Sequence, residues 1–262
     1  MIIAKSTREI ELMKQAGKVV QMVFQACEKI IKAGVSTYEI DALAEKVMLE
    51  NGCTCPCKGY CGYPSAICVS VNDTLIHGIP SEKIILHDGD IVSLDVVANY
   101  QGYNADATRT YAVGTINGRS KRLLEVTEEA FFEALKVTCI GGHVGDISAA
   151  IQKYVESHGY NVVREFTGHG IGKSMHEDPS IPNYGKTGSG AIIQEGYALA
   201  IEPMVLEGKK DARILKDGWT VKSKDGKLTC HYENTVIITS NGLDIITMSD
   251  EEKEKRNNYV KK

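Results

Sequence analysis

The sequence carries one structural plan twice. Shifting the chain by 107 places superimposes glycines, an isoleucine and an acidic residue of one half on those of the other. The matched pairs are Gly34 and Gly141, Ile40 and Ile147, Gly52 and Gly159, Gly89 and Gly196, and Asp95 and Glu202. Each acid follows a glycine by six residues, in a segment that reads as a turn and then an apolar strand. We therefore expect two halves related by a pseudo-twofold axis.

The two matched acids, Asp95 and Glu202, are expected to converge near that axis, because equivalent elements of the two halves face each other across it. Like charges do not stay together in a buried place without a compensating cation. The duplication therefore indicates a metal site. We assign the halves to residues 9–115 and 120–240 of one domain spanning residues 1–262, with a charged, solvated tail over 250–262.

The composition excludes several classes of protein. The chain of 262 residues has a net charge of -4, which gives no electrostatic footprint for nucleic acid or an anionic membrane. No apolar run approaches the roughly 18 residues of a membrane span, and the first residues lack the apolar core of a signal peptide. We therefore expect a cytoplasmic protein with no membrane partner and no sequence-specific nucleic-acid partner. In that compartment its eight cysteines are expected to remain free thiols.

Hydrophobic periodicity predicts two helices followed by strands in each half, which is an α+β fold. The first and third predicted helices cover 9–33 and 123–138. The second is capped by Ser36 or Thr37 and ends at Glu50, and the fourth is capped by Asp146 and ends at Ser157. Three predicted hairpin arms cover 91–99, 105–113 and 227–239. The returning arm of the second hairpin follows that of the first by 127 positions rather than 107, so the second hairpin holds 20 additional residues. These residues include Trp219, the only tryptophan. Its place near the site indicates a cover over that site, and the alternative is that it only packs against its neighbours.

Four acids lie on these hairpin strands, where an unpaired charge would be costly. Asp95 and Asp106 are 11 residues apart on the two arms of one hairpin, a spacing that can set them side by side. The second hairpin carries Glu202 and Glu233, and His169 precedes it between two glycines. Four carboxylates and one imidazole favour Mn, Fe(II), Co or Zn over a thiolate site. We therefore expect two divalent ions bridged by shared carboxylates.

Two other histidines fit around such a site without being ligands. His77 begins a His-Gly-Ile-Pro loop, and His176 follows His169 by seven residues beyond a glycine-rich turn. Near a metal they could hydrogen-bond a scissile carbonyl or amide nitrogen. The alternative is that both are ordinary polar loop residues. The four remaining histidines, His87, His143, His158 and His231, receive no role from the sequence.

The thiol-rich segment from Cys53 to Cys61 allows two interpretations. Its cysteines at 53, 55, 57 and 61 lack paired C-x-x-C knuckles, which argues against a structural zinc or iron-sulfur site. With Tyr60, Tyr63 and Cys68 nearby, these thiols and rings would instead suit a thioether side chain, because sulfur packs well on soft and aromatic surfaces.

Taken together, these residues resemble the signature of the type I methionine aminopeptidases, in the short bacterial form. The resemblance rests on Asp95, Asp106, His169, Glu202 and Glu233, with His77 and His176, and covers the chain from the first helix to Ile238. It implies the pita-bread fold: one catalytic domain of two pseudo-symmetric halves, with antiparallel strands that hold a dinuclear site. It also implies removal of the initiator methionine from nascent polypeptides with a small second residue.

The resemblance further implies a role for each site residue. Asp95 would chelate one metal, Asp106 and Glu233 would bridge both, and His169 with Glu202 would complete the second. Glu202 would also transfer the proton of the attacking water, while His77 and His176 would contact the substrate. The methionine pocket would be formed by Cys57, Tyr60, Cys61, Tyr63, Cys68, Phe166 and Trp219. Asn72 and Thr229 match positions where some members bind a monovalent cation.

Some features depart from the family pattern, and two rival interpretations stay open. Cys61 stands where familiar members often carry histidine, and the segment before it is richer in thiols. A proline-specific relative, prolidase or aminopeptidase P, would share the five ligands but would carry a large additional N-terminal domain. A non-catalytic binding protein of this fold should have lost ligands. We expect an active monomer that contacts the ribosome transiently.

Overall fold

The computed structural model describes residues 2–256. Its helices are α1 (Thr7–Glu28), α2 (Thr37–Glu50), α3 (Gly118–Val137), α4 (Val144–Ser157) and α5 (Asp250–Lys255). Its strands are β1 (Cys68–Val71), β2 (Thr74–Ile76), β3 (Ile91–Tyr100), β4 (Tyr103–Ala112), β5 (Asn161–Val162), β6 (Thr167–Gly170), β7 (Glu177–Pro182), β8 (Ala198–Ile201), β9 (Met204–Leu206), β10 (Ala212–Ile214), β11 (Val221–Ser223), β12 (Thr229–His231), β13 (Glu233–Thr239) and β14 (Gly242–Ile245). Within these residues no helix is both long and apolar enough to cross a membrane.

Local sequence signals fix where the helices begin. Ser6 and Ser36 form capping boxes with the glutamates three residues later, so α1 and α2 begin directly after them. The predicted helix to residue 33 ends earlier, at Glu28, before a turn that leads to Gly34. Asp146, predicted as the cap of α4, lies inside its first turn and accepts the backbone N–H of His143 at 2.7 Å.

The main sheet shows the duplication directly. Its strands run in the order β1-β3-β4-β13-β8-β6-β7, and all neighbours are antiparallel. About the junction of β4 and β13, which we call the central seam, three strands on each side correspond, and β7 extends the second half without a counterpart in the first. Strands β3 and β8 therefore occupy equivalent places, as do β4 and β13. The predicted α+β fold with two pseudo-symmetric halves is confirmed.

Each half of the sheet is covered by its own helix pair. Helices α1 and α2 bury Met13, Phe24 and Met48 against β3 and β4, and α3 and α4 bury Phe131 and Ile147 against the strands of the other half. These apolar layers stabilise the sheet, because burying a large aliphatic or aromatic side chain contributes about 1.5–3 kcal/mol. The sheet face away from the helices is left free to hold the polar site.

The second hairpin differs from its prediction. The predicted arm over 227–239 breaks at Tyr232 into β12 and β13, which belong to different sheets. The additional residues form β10 and β11, and β11 pairs with β2, the strand that leads into His77. The insertion is therefore a small sheet placed beside the site, and not an irregular loop.

The described part of the predicted solvated tail over 250–262 contains helix α5. Helix α5 buries no residue, but Glu252 accepts from the buried Arg109 at 3.1 Å. Arg109 lies on β4 and also donates to the carbonyl of Glu233 at 2.7 Å, so α5 is attached to the central seam. The part of the tail over 257–262 lies outside the described residues.

Candidate metal centre

The five predicted ligands line one cavity of about 250 Å³, which we call the metal cavity. Asp95 and Asp106 lie on the two arms of the first hairpin, His169 on β6, Glu202 directly after β8, and Glu233 at the start of β13. The ring nitrogen His169 Nε2 is 3.7 Å from Asp106 Oδ2 and 3.6 Å from Glu202 Oε1. The side-chain ligand atoms of Asp106, His169 and Glu233 lie within 4.8 Å of one another, a spacing that one ion could span.

Two glycines allow His169 to occupy its place between strands. A Cβ on Gly168 would collide with the carbonyl of Ala200, and one on Gly170 would collide with the carbonyl of Asp178. The ring is oriented by its Nδ1, which donates to the carbonyl of Gly170 at 2.9 Å. Because a carbonyl only accepts, the proton lies on Nδ1 and Nε2 keeps its lone pair for a ligand.

The threonines that follow the acids by two residues connect the halves. Thr108, in the first half, donates its hydroxyl to Glu233 Oε2 at 2.9 Å. Thr235, in the second half, donates to the carbonyl of Asp106 at 2.8 Å and accepts the Asp106 N–H at 2.9 Å. Each half therefore positions the acid of the other half across the central seam.

We call the five predicted ligands the cage. Burial and the crowding of like charges dominate the electrostatics of the cage. Burial, followed by the charge of Glu233, raises the pKa of Asp106 well above its usual value. Burial is also the main cause of the raised pKa values of Asp95, Glu202 and Glu233. Burial lowers the pKa of His169 to about 3, so its ring is neutral near pH 7. A divalent cation would stabilise the carboxylate form of all four acids.

The hydrogen-bonding pattern of the cage fits a cation. Among the described residues, five buried side-chain polar atoms lack a partner, and three belong to this cavity: Asp106 Oδ1, His231 Nε2 and Glu233 Oε1. Buried polar atoms without partners are rare because each costs about 1–3 kcal/mol. Two carboxylate oxygens and one imidazole nitrogen are suitable ligands for a borderline divalent ion.

His231 is the residue that the sequence interpretation missed. It ends β12 and is 2% exposed, and its Nε2 lies 3.3 Å from Glu202 Oε2 and 3.9 Å from Glu233 Oε2. Burial lowers the pKa of this histidine to about 4. A signal was present, because a residue two places before Glu233 on a strand faces the same side. Together with Glu202 and Glu233 it forms a second group that could hold an ion.

The two predicted substrate histidines lie at the same site. His77 and His176 both line the cavity of the acids, and the His176 ring centroid is 4.5 Å from that of His169. His77 adopts a φ of 57°, and its ring lies edge-on to Phe166 at 5.9 Å. The Nδ1 of His176 is 3.2 Å from the hydroxyl of Tyr60. Burial lowers the pKa of His77 to about 4, so its neutral ring can donate one N–H.

An apolar cavity of about 210 Å³ adjoins the acids and shares His77, His176, Asp95 and Asp106 with the metal cavity. Five of the predicted pocket residues line it: Cys57, Tyr60, Tyr63, Cys68 and Trp219. The Trp219 ring lies edge-on to Tyr63 at 5.1 Å, so the insertion closes one wall.

Two predicted pocket residues lie elsewhere. Cys61 has a φ of 47° in the turn Tyr60–Gly62 and is exposed to solvent, so its thiol does not line the apolar cavity. Phe166 lines the metal cavity instead. The sequence interpretation did not include Val97 and Met175, which complete the apolar wall. Val97 could have been found, because it lies two places after Asp95 on the same face of β3.

The remaining predicted sites are simply located. Thr229 donates its hydroxyl to the carbonyl of Asn72 at 3.0 Å, so the two residues are adjacent, and the monovalent cation between them stays a prediction. All eight cysteines are free, as predicted. Among residues 2–256, neither of the two candidate metal-binding groups includes a cysteine.

A buried cage of carboxylates and imidazoles beside a specificity cavity, on an antiparallel sheet, is the arrangement of a metal-dependent hydrolase. The chain belongs to metallopeptidase family M24, whose family model matches residues 11–240.

Comparison with individual proteins is more specific. The chain is 48% identical over 250 residues to a methionine aminopeptidase of Clostridium acetobutylicum, which covers 95% of this chain and 100% of the relative. A crystal structure of methionine aminopeptidase from Thermotoga maritima superimposes with a TM-score of 0.93, at 43% identity over 95% of this chain and 100% of that one. These findings confirm the resemblance to the type I bacterial methionine aminopeptidases.

The proline-specific rival is more distant. The prolidase from Pyrococcus furiosus is 26% identical with a TM-score of 0.76, and the match covers 95% of this chain but 66% of that one. The two proteins share the fold, while the rest of the prolidase chain has no counterpart in the match.

Proposed function

We propose that this protein is a metal-dependent methionyl aminopeptidase, which removes the N-terminal methionine from proteins and peptides. The observation that carries the proposal is the junction of two cavities. The apolar cavity and the metal cavity share His77, Asp95, Asp106 and His176. A methionine side chain in the first cavity therefore places the first peptide bond in the second.

The apolar cavity suits a thioether. Cys57 Sγ lies 3.9 Å from Met175 Sδ, and the rings of Tyr63 and Trp219 form the adjoining wall. Sulfur contacts with sulfur and with aromatic edges are favourable. The lining therefore suits the thioether side chain of methionine.

The donor set suits two divalent ions, which we propose are held by Asp95, Asp106, His169, Glu202 and Glu233. Mn, Fe(II), Co and Zn all bind such mixtures of carboxylate and imidazole. When bound, the ions supply Lewis acidity and lower the pKa of water, so that a nucleophile is available at neutral pH.

The chain's own side chains orient and protonate the reacting groups. We assign to Glu202 the role of accepting the proton of the attacking water and delivering it to the leaving amine. His77 and His176 lie between the two cavities, where their N–H groups can bond the scissile carbonyl as negative charge develops on its oxygen. Because Tyr60 Oη is 3.2 Å from His176 Nδ1, its hydroxyl can donate there and leave the proton of His176 on Nε2.

We further propose that the second residue of the substrate must be small. The Phe166 ring stands edge-on to His77, with 5.9 Å between ring centroids, and it lines the metal cavity but not the apolar one. A bulky second side chain would have to displace this ring pair. A substrate that still carries its initiator methionine is a new chain, so we propose cytoplasmic action with transient ribosome contact. One chain supplies both cavities, which supports action as a monomer.

One preparation tests the function. The protein is stripped of metal with a chelator, restored with Mn, Co or Fe(II), and offered Met-Ala-Ser and Ala-Pro-Ala. We expect release of methionine from Met-Ala-Ser only after metal is restored. A third peptide, Met-Leu-Ser, should be cleaved much more slowly. Cleavage confined to the X-Pro peptide would identify a prolidase-like enzyme and overturn the proposal. Asp106→Ala should abolish activity, with the exposed Glu165→Gln at the cavity mouth as a matched control.

A further inference from the structure

His231 is a buried imidazole in the wall of the metal cavity that the five-ligand arrangement does not use. Its side chain is 2% exposed and its Nε2 makes no hydrogen bond. It lies at the end of β12, and its backbone is fixed by Thr110, whose hydroxyl donates to the His231 carbonyl at 2.7 Å. A buried ring nitrogen without a partner in the protein is available to bind something besides the protein.

The distances around His231 match those between ligands that share one ion. Its Nε2 is 3.3 Å from Glu202 Oε2 and 3.9 Å from Glu233 Oε2. Two ligand atoms at about 2.1 Å from an ion, and at right angles to each other, lie about 3 Å apart. All three atoms fall within 4.8 Å of one another, so a small movement would bring them onto one cation.

A hydrogen bond to Glu202 is the simpler use of this nitrogen, but the geometry argues against it. The separation of 3.3 Å lies within hydrogen-bond range, yet Nε2 has no hydrogen-bond partner in the structure. The ring N–H direction therefore does not meet the carboxylate oxygen.

Glu202 consequently lies between two imidazoles. Its Oε1 is 3.6 Å from His169 Nε2, and its Oε2 is 3.3 Å from His231 Nε2. We propose that His231 is a sixth ligand of the metal centre, sharing an ion with Glu202 and Glu233. The cage then has four carboxylates and two imidazoles. The added nitrogen donor increases the preference for Co and Zn over Mn, following the general affinity order of divalent ions.

The proposal rests on the metal dependence proposed above, but its test reads ligation itself and not catalysis. The full-length protein is stripped of metal and loaded with two equivalents of Co(II), and its proton NMR spectrum is recorded in H₂O and D₂O. The ring N–H of each coordinated histidine shifts far outside the normal range and disappears in D₂O. We expect two such resonances, one lost in His169→Gln and the other in His231→Gln.

His87→Gln is the matched control, because the His87 side chain is 77% exposed and lies outside the cavity. We also expect His231→Gln to weaken Co(II) binding by about tenfold or more in competition with a chelator, and Mn(II) binding by less. A single exchangeable resonance in the wild-type protein would overturn the proposal, even if His231→Gln did not fold. So would Co(II) affinity in a folded His231→Gln protein equal to that of His87→Gln.

Discussion

Replacing Glu233 with glutamine should stabilise the protein without metal and remove most of the stabilisation that metal brings. Glu233 is 2% exposed, and one of its oxygens lies within 4.8 Å of a carboxylate oxygen of Asp106. At an effective dielectric constant of about 20, two unit charges at 4.8 Å repel each other by about 3.5 kcal/mol. Glutamine removes this repulsion and keeps an oxygen that can accept from Thr108.

The net effect is smaller than the full repulsion. Burial raises the pKa of Glu233, so proton uptake already relieves part of the cost in the metal-free wild type. We expect a gain in the free energy of unfolding of about 1–3 kcal/mol. In a chain of this size, each kcal/mol moves the midpoint of thermal unfolding by about 2–4 °C, so the increase should be about 2–12 °C.

With metal bound, the wild type should become more stable than Glu233→Gln. An ion present at 100 times its Kd adds about 2.7 kcal/mol to the stability of the protein that binds it. The wild type should gain this for each site it fills, whereas Glu233→Gln loses a shared ligand and should gain little.

Differential scanning calorimetry in chelator and in excess Co(II) measures both effects, with Glu165→Gln as the control for losing an exposed carboxylate at the cavity mouth. Two results would refute the reasoning. One is a metal-free variant less stable than the metal-free wild type, and the other is an equal response of both proteins to metal.

Three further predictions follow from single contacts. Tyr60→Phe should lower kcat about tenfold with little change in KM, because the ring still lines the apolar cavity while the hydroxyl beside His176 is lost. A change confined to KM would contradict this role. Thr108→Val should weaken metal binding about tenfold in chelator competition, because it removes the hydroxyl that holds Glu233; unchanged affinity would show that the hydrogen bond does not position this ligand. In thiol labelling at pH 8, Cys61 and Cys139 should react quickly and Cys53 slowly, because burial raises the Cys53 pKa to about 11; fast labelling of Cys53 would contradict its burial.

The sequence was most informative where a residue type conflicted with its surroundings. Asp95, Glu202 and Glu233 were recognisable because acids in apolar strands need a partner, and the hairpin spacing indicated that Asp106 meets Asp95. The repeated glycines located both halves. Helix starts followed from caps such as Ser6 and Ser36, whereas the end of α1 came five residues before the predicted one because a turn separates Glu28 from Gly34.

Some residues of the site could not be predicted from the sequence, because their positions depend on the paths of loops and on breaks in strands. His231 received no role because it lies in no loop or glycine-rich context like those of His77 and His176. The break at Tyr232, which puts β12 and β13 in different sheets, was not predicted either. Cys61 lies exposed in a short turn where its φ is positive, a location that residue spacing does not reveal. Met175 was overlooked because it reaches the pocket from the second half.

The threonine hydrogen bonds that cross the central seam bear on how such a chain arose. Thr108 supports Glu233 and Thr235 supports Asp106, so an isolated half would present acids without the donors that hold them. A half-length ancestor would therefore have needed a second copy of itself before it could retain an ion. Fusion of the two copies would have made that encounter permanent, and would have freed each copy to diverge.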